Sequence, residues 1–177
     1  MEEATKNKLK ALVRNVPDFP VKGIQFKDLT TLLKDAEALH IVTEEMAQLY
    51  RDRGITKVAG IEARGFIGGA LLANAIGAGF VPIRKPGKLP ADTVSKTYEK
   101  EYGSDTIELH RDAIGPDDIV LLHDDLLATG GTMLAALQLV QSMHPKKVMV
   151  NFVCELSFLR GRDVFPDDIE VDSLFEF

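Results

Sequence analysis

The sequence predicts an α/β fold in which a mostly parallel sheet is flanked by helices. Four short apolar segments, at residues 57–61, 80–83, 119–123 and 147–154, alternate with longer segments of helical character. Alternation of this kind is typical of β-α-β units. Strands that are apolar throughout indicate burial on both faces, as in a parallel sheet covered by helices.

Two helices are expected before the first strand. Apolar residues at helical spacing predict a helix at residues 3–14, which the prolines beginning at Pro17 end. Residues 21–34 are expected to be irregular. A second amphipathic helix is predicted at residues 35–53, with Gly54 just after it.

The remaining elements follow in alternation. They are a strand at 57–61, a helix at 65–76, a strand at 80–83, an edge strand at 106–110, a strand at 119–123, a helix at 132–143 and a strand at 147–154. Two segments are not expected in the sheet. One is the weakly periodic stretch 85–104, whose length is typical of a functional lid. The other is the acidic tail from Ser157.

Length and composition exclude several classes of protein. The 177 residues suit a single domain, and no apolar run approaches a membrane span. The single cysteine, Cys154, excludes an intrachain disulfide and a cysteine zinc cluster. A net charge of −6 argues against a general nucleic-acid-binding surface. The acidic start lacks a secretory signal, so we expect a soluble cytoplasmic protein that acts on small molecules.

The segment 119–132 indicates a phosphate site. An apolar strand is followed by Asp124 and Asp125, a small glycine-rich turn, and a helix that begins near Thr132. A helix N-terminus beyond the carboxyl end of a strand offers free N–H groups to an anion, and two carboxylates suit the hydroxyls of a sugar. No Gly-Lys-Ser/Thr follows, so this is not a Walker A loop. An ordinary strand–turn–helix remains the alternative.

This segment resembles the phosphoribosyl diphosphate (PRPP) motif of type I phosphoribosyltransferases. The resemblance implies the fold of that family, with a small base-binding hood. It also implies that Asp124 and Asp125 contact the ribose hydroxyls. The 5′-phosphate would be held by Ala128, Thr129, Gly130, Gly131 and Thr132. His123 stands where an aliphatic residue is usual. It is either a core histidine satisfied by a neighbour or a pH-sensitive neighbour of Asp124.

A segment near the start, 17–28, resembles the base-binding hood of the branch of this family that acts on adenine. The resemblance implies that Phe26 stacks on the base and that the main chain at Gln25 reads its Watson–Crick edge. Lys27 stands where arginine is frequent, and Leu156 would form the opposite wall. From the residues alone, simple core packing of Phe26 is an equal alternative.

The segment 60–66 resembles the family's diphosphate loop. The resemblance implies that Arg64 binds the diphosphate and that a cis peptide joins Glu62 to Ala63. Three further cations, Arg84, Lys85 and Lys88, lie at the start of the weakly periodic stretch. From the residues alone, a solvated basic turn is the alternative interpretation. The resemblance implies that Lys85 and Lys88 bind the diphosphate and that Arg84 reaches the site of a neighbouring subunit.

The end of the long segment resembles the family's flexible catalytic hood. The resemblance implies that Glu101 is the catalytic base or acceptor and that Tyr102 contacts PRPP. Glutamates on a polar loop are usually solvated, and only the resemblance selects Glu101 over Glu99.

Together these resemblances imply Mg²⁺-dependent transfer of 5-phosphoribosyl from PRPP to adenine, giving AMP and diphosphate. Mg²⁺ would be held mainly by PRPP, so no protein ligand is assigned to it. A homodimer without nucleic-acid or membrane partners is implied. The chain divides into 1–34 (helix and hood), 35–155 (core) and 156–177 (C-terminal hood and tail). A 6-oxopurine enzyme, or a PRPP-sensing regulator, remains the alternative.

Overall fold

The structure is a computed structural model that describes residues 1–99 and 103–177. The helices are α1 (Glu3–Leu12), α2 (Thr30–Leu33), α3 (Ala36–Tyr50), α4 (Arg64–Ile76) and α5 (Gly131–Gln141). The strands are β1 (Arg14–Pro17), β2 (Gln25–Asp28), β3 (Lys57–Ile61), β4 (Gly79–Ile83), β5 (Thr93–Glu99), β6 (Ser104–His110), β7 (Ile119–Leu127), β8 (Lys147–Glu155) and β9 (Val171–Glu176). Short 3₁₀ turns cover Ser157–Leu159 and Gly161–Val164.

The predicted parallel sheet is confirmed. Five strands lie in the order β4-β3-β7-β8-β9, and every neighbouring pair is parallel. The carboxyl ends of β3, β4 and β7 therefore meet at one edge of the sheet. This edge is where ligands of open α/β sheets bind.

Helices cover both faces of the sheet, as predicted. On one face, α5 contributes Met133 and Leu137 to a buried cluster that also holds Ile107 of β6. On the other face, Met46 of α3 and Leu72 of α4 belong to a second buried cluster. None of the helices in the described residues combines the length and apolarity needed to cross a membrane.

The expectation that residues 21–34 are irregular is wrong. β2 pairs with β1 in an antiparallel hairpin, and α2 follows directly. The hairpin loop is closed by hydrogen bonds from Asp18 N to Ile24 O (2.8 Å) and from Gly23 N to Asp18 Oδ1 (2.7 Å). Two four-residue strands are too short to show an apolar period, so the pattern did not reveal them.

The long segment 85–104 is not without structure. β5 lies within it and pairs antiparallel with β6 in a separate two-stranded sheet. The strand predicted at 106–110 is therefore part of β6 and is paired outside the central sheet. β5 alternates between half-buried and exposed residues, most of them polar, which conceals its period.

The tail also joins the central sheet, contrary to expectation. β9 pairs in parallel with β8 and forms an edge of that sheet. Its Leu174 and Phe175 are buried, while the acidic residues around them hide the strand pattern.

Candidate active site

The glycine-rich turn joins β7 to α5 at the functional edge of the sheet. Gly130 has φ of 82°, in the left-handed region that favours glycine, and its carbonyl accepts the first helical bond from Leu134 N at 2.9 Å. Among the described residues, no acceptor lies within hydrogen-bonding range of the backbone N–H groups of residues 128–133. Free N–H groups at the N-terminus of a helix, such as α5, are suited to an anion.

A cavity of about 290 Å³ opens beside this turn. Several residues predicted to bind PRPP line it, namely Arg84, Lys85, Asp124, Ala128, Thr129, Gly130, Gly131 and Thr132. Glu62, Tyr98 and Phe152 also line the cavity. The glycine-rich turn and two of the predicted cations, Arg84 and Lys85, therefore line the same cavity.

The two acids lie inside β7, which continues to Leu127 and does not end before them. Asp125 is buried and Asp124 is half-buried. Oδ1 of Asp124 accepts from the backbone N–H of Asp125 at 2.9 Å. Burial, together with the neighbouring Asp125 carboxylate, raises the pKa of Asp124 well above its usual range, while Arg64 opposes the shift.

Arg64 begins α4 and lies against the acid pair. Its Nε donates to Oδ2 of Asp125, and this hydrogen bond raises the pKa of Arg64. The peptide bond between Glu62 and Ala63, just before it, is cis, which confirms that prediction. The group implied for the diphosphate thus touches a group implied for the ribose.

Glu62 organises the cations at the end of β4. Its carboxylate accepts from Arg84 at 3.0 and 3.2 Å and from the backbone N–H of Lys85 at 3.0 Å. The Arg84 guanidinium is the main reason that the pKa of Glu62 is lowered. Lys85 Nζ donates to Asp105 of β6, whereas Lys88 is exposed and lies outside the lining of the cavity.

The N-terminal hood lies on the Arg64 side of the site. The guanidinium carbon of Arg64 is 6.0 Å from the ring centre of Phe26, which makes an edge-to-face contact with Phe19 at 5.1 Å. Lys27 Nζ is 4.4 Å from the ring centre of Phe177. Gln25 is exposed, and its Oε1 accepts from Asn15 Nδ2 at 2.7 Å. Leu156 is buried just after β8.

Comparisons with known proteins agree with this geometry. A family model described as the phosphoribosyl transferase domain matches residues 28–176. An adenine phosphoribosyltransferase of Bacteroides fragilis is 59% identical over 168 residues, which are 95% of this chain and 94% of that protein. The chain belongs to the adenine phosphoribosyltransferase family.

Solved structures of adenine phosphoribosyltransferases share the fold. The enzyme of Rhodothermus marinus is 46% identical with a TM-score of 0.93, covering 99% of this chain and 100% of its own. The enzyme of Giardia lamblia, solved with 9-deazaadenine, is 44% identical with a TM-score of 0.91, covering 97% of each chain. The chain is therefore a glycosyltransferase of purine salvage, and neither the 6-oxopurine enzyme nor the PRPP-sensing regulator is favoured.

Two of the predicted residues of this family's site, Glu101 and Tyr102, lie outside the described residues. Three side chains at the site were not selected from the sequence. Glu62 and Asp105 hold the cations, and Tyr98 places its hydroxyl 3.1 Å from Thr132 Oγ1. Glu62 lies inside the loop that resembles the diphosphate loop, which could have marked it. Tyr98 lies on β5 and Asp105 on β6, two strands whose pairing was not anticipated.

His123 is a core histidine, which confirms the first of its two interpretations. The side chain is fully buried, and its Nδ1 lies 2.9 Å from Asn151 Oδ1. Burial lowers the pKa of His123 to about 4. The imidazole is therefore neutral near pH 7.

Proposed function

We propose that this chain carries out adenine phosphoribosyl transfer at the edge formed by β3, β4 and β7. The observation that carries the proposal is that the glycine-rich turn and Asp124 line one cavity, while Arg64, which is not among its lining residues, pairs with the adjacent Asp125. The turn would hold the 5′-phosphate, the acids the ribose and the arginine the diphosphate.

The ribose 5-phosphate half would bind along β7 and its turn. The N–H groups of Ala128–Thr132 would donate to the 5′-phosphate, and the hydroxyls of Thr129 and Thr132 would add donors. Asp124 and Asp125 are acceptors for the 2′- and 3′-hydroxyls. Charged hydrogen bonds of this kind are worth about 1.5–3 kcal/mol each.

The diphosphate would bind to Arg64, Lys85 and Lys88, with Arg84 close by. Breaking the bond from C1′ to the diphosphate develops negative charge on the leaving oxygen, which these cations stabilise. Each of the first two cations is held by a carboxylate, Asp125 or Asp105. The role of Arg84 in a neighbouring subunit stays a prediction, since in its own chain it is paired with Glu62.

The base would lie between Phe26 and Leu156. Stacking on an aromatic ring is worth about 1–3 kcal/mol and suits any planar base. The main chain at Gln25 would read the Watson–Crick edge, with Lys27 beside it. The 9-deazaadenine held by the Giardia lamblia relative supports a base slot in this fold.

Proton transfer is assigned to Glu101, with Tyr102 contacting PRPP. A carboxylate that accepts the proton of adenine makes the attacking nitrogen more nucleophilic as the bond to C1′ forms. Excluding water from the cavity would protect PRPP from hydrolysis.

Mg²⁺ is proposed as the metal of the reaction. The cavity suits a hard cation, because the carboxylate of Asp124 lines it together with the glycine-rich turn, and Mg²⁺ prefers oxygen ligands. When bound, the metal neutralises charge on the diphosphate. The phosphates are expected to supply most of its ligands.

We also propose that the chain is a single domain that forms a homodimer in the cytoplasm. Apolar side chains are exposed on neighbouring helices: Ile67 and Leu71 on α4 are 44% and 36% exposed, and Leu49 on α3 is 41% exposed. Such a face is typical of an interface between copies. Light scattering on the purified protein would give twice the chain mass, whereas a monomer would contradict this part of the proposal.

The experiment that tests the site assignment is PRPP binding to the double variant Asp124→Asn/Asp125→Asn. Loss of both charged acceptors is expected to weaken binding at least 100-fold by calorimetry. Asp117→Asn is the matched control, because Asp117 is an exposed acid before the same strand. Normal affinity in the double variant would refute the ribose assignment.

A further inference from the structure

The segment 157–165, which we call the brace, packs against the turn at residues 128–132, which the proposed function assigns to the 5′-phosphate. A Cβ atom built on Gly161 would lie 2.1 Å from the carbonyl oxygen of Ala128. One built on Gly130 would lie 2.5 Å from the carbonyl oxygen of Gly161 and 2.7 Å from Val164 Cγ2. The main chains of the brace and the turn are therefore in close contact at two points, and the turn cannot move toward the brace.

Arg162 anchors the brace to the central sheet. Its Nε donates to Glu155 Oε2 at 2.6 Å, its Nη2 donates to Ser173 Oγ at 3.1 Å, and its Nη1 donates to the carbonyl of Val171. Ser173 Oγ also donates to Glu155 Oε2 at 3.1 Å. All three guanidinium nitrogens thus tie the brace to the last residue of β8 and to the first half of β9.

The ion pair between Arg162 and Glu155 is partly shielded from solvent. The Glu155 side chain is only 6% exposed, so its carboxylate depends on Arg162 and Ser173 for the partners that water would otherwise supply. A planar fork matches this set of acceptors better than an ammonium group does. Arg160 differs sharply: it is 79% exposed, and it pairs at 2.5 Å with Asp163, which lies within the brace itself.

We propose that Arg162 is a positioning residue for the 5′-phosphate. By holding Gly161 and Val164 against Ala128 and Gly130, it fixes the direction of the N–H groups that bind the phosphate. The inference rests on the proposed function, since it takes the turn to be the 5′-phosphate site. Arg162 itself makes no contact with the ligand in this account.

The test measures two ligands separately by calorimetry on the full chain. Arg162→Met is expected to weaken binding of ribose 5-phosphate at least tenfold and binding of inorganic diphosphate less than twofold, because Arg64 begins α4 and Lys85 and Lys88 follow β4, away from the brace. Arg160→Met, with the same change of charge in the same segment, should leave both affinities unchanged. Arg162→Lys, which keeps the charge but loses the fork, should fall between Arg162→Met and the unaltered protein.

Three outcomes would overturn the proposal. Unchanged ribose 5-phosphate binding in Arg162→Met would remove the positioning role. Equal weakening of both ligands would point to general destabilisation instead. If the unaltered chain binds diphosphate but no ribose 5-phosphate, the assignment of the turn fails, and this inference fails with it.

A variant that does not fold would not prevent the test. Ser173→Ala removes one partner of Arg162 and of Glu155 and leaves the charged pair intact. It is expected to raise about threefold the ratio of the dissociation constant for ribose 5-phosphate to that for inorganic diphosphate. Arg162→Lys should change this ratio in the same direction. An unchanged ratio in both milder variants would overturn the proposal.

Discussion

The guanidinium of Arg64 pairs with the buried carboxylate of Asp125, joining the start of α4 to the middle of the neighbouring parallel strand β7. The two residues are 61 positions apart in the chain, yet they link the loop assigned to diphosphate with the acids assigned to ribose. Arg64 is also the cation that most directly offsets the repulsion between Asp124 and Asp125. Arg64 therefore has a role toward the protein in addition to the one proposed for it toward the diphosphate.

Arg64→Met is expected to raise the dissociation constant for PRPP about 10–100-fold, because a charged hydrogen-bonding partner is worth about 1.5–3 kcal/mol. The measurement is calorimetric titration with PRPP. Arg51→Met is the control, because Arg51 is exposed and pairs with Glu44 on α3. Unaltered PRPP affinity in Arg64→Met would remove Arg64 from the diphosphate site.

Asp124→Asn is expected to stabilise the fold at pH 8 while it weakens PRPP binding. The pKa of Asp124 is raised in the folded state, so its ionised form is disfavoured there. The stabilising contribution of the carboxyl is complete below its unfolded pKa and is lost as pH rises through the raised folded pKa. The amide has no such dependence.

Urea unfolding at pH 4 and pH 8 measures this effect. The variant should gain about 1 kcal/mol over the unaltered protein at pH 8, and the gain should shrink at pH 4. Asp117→Asn, at an exposed position, should show neither change. A variant that is less stable by the same amount at both pH values would contradict the raised pKa.

His123 is expected to make stability fall at acid pH. Its folded pKa, about 4, lies below the ordinary value of 6.5. Its contribution is therefore complete above pH 6.5 and is lost as pH falls toward 4, by about 3 kcal/mol in total. His123→Gln should show a correspondingly smaller fall between pH 7.5 and pH 4 in urea unfolding.

His144→Gln is the matched control, because His144 is exposed after α5. It should reproduce the pH dependence of the unaltered chain. If His123→Gln has that same pH dependence, the imidazole is not buried in its neutral form.

Glu101→Gln is expected to lower turnover about 100-fold or more with little effect on PRPP affinity, since a positioned proton acceptor contributes to the chemical step. Steady-state rates of AMP formation, together with PRPP titration, separate the two quantities. Glu99→Gln, two residues earlier at the end of β5, should keep its turnover. A reversed pattern would assign the role to Glu99.

The sequence was informative where structure is local. The apolar runs of β3 and β8 located these strands to within one residue, and the pattern also located α3 and α4, although α3 ends at Tyr50 and not at the predicted residue 53. The hairpin of β1 and β2, and the strands β5 and β9, were not predicted. Half-buried or edge strands with polar residues show little hydrophobic periodicity.

The site residues also fall into two groups, those that could be recognised from the sequence and those that could not. The turn after β7 could be singled out because its glycines and hydroxyls, which suit a phosphate, are adjacent in the chain. The roles of Glu62 and Arg162 could not, since each depends on partners brought together only by folding, such as Arg84 for Glu62 and Ser173 for Arg162. Spacing in the sequence does not encode such contacts.

The measurement that most directly tests the central claim is base selectivity. The purified chain, supplied with PRPP and Mg²⁺, is offered adenine and hypoxanthine in competition, and the products AMP and IMP are quantified. The account predicts AMP as the dominant product and diphosphate released in equal amount. Preferred turnover of hypoxanthine, or no transfer to either base, would contradict it.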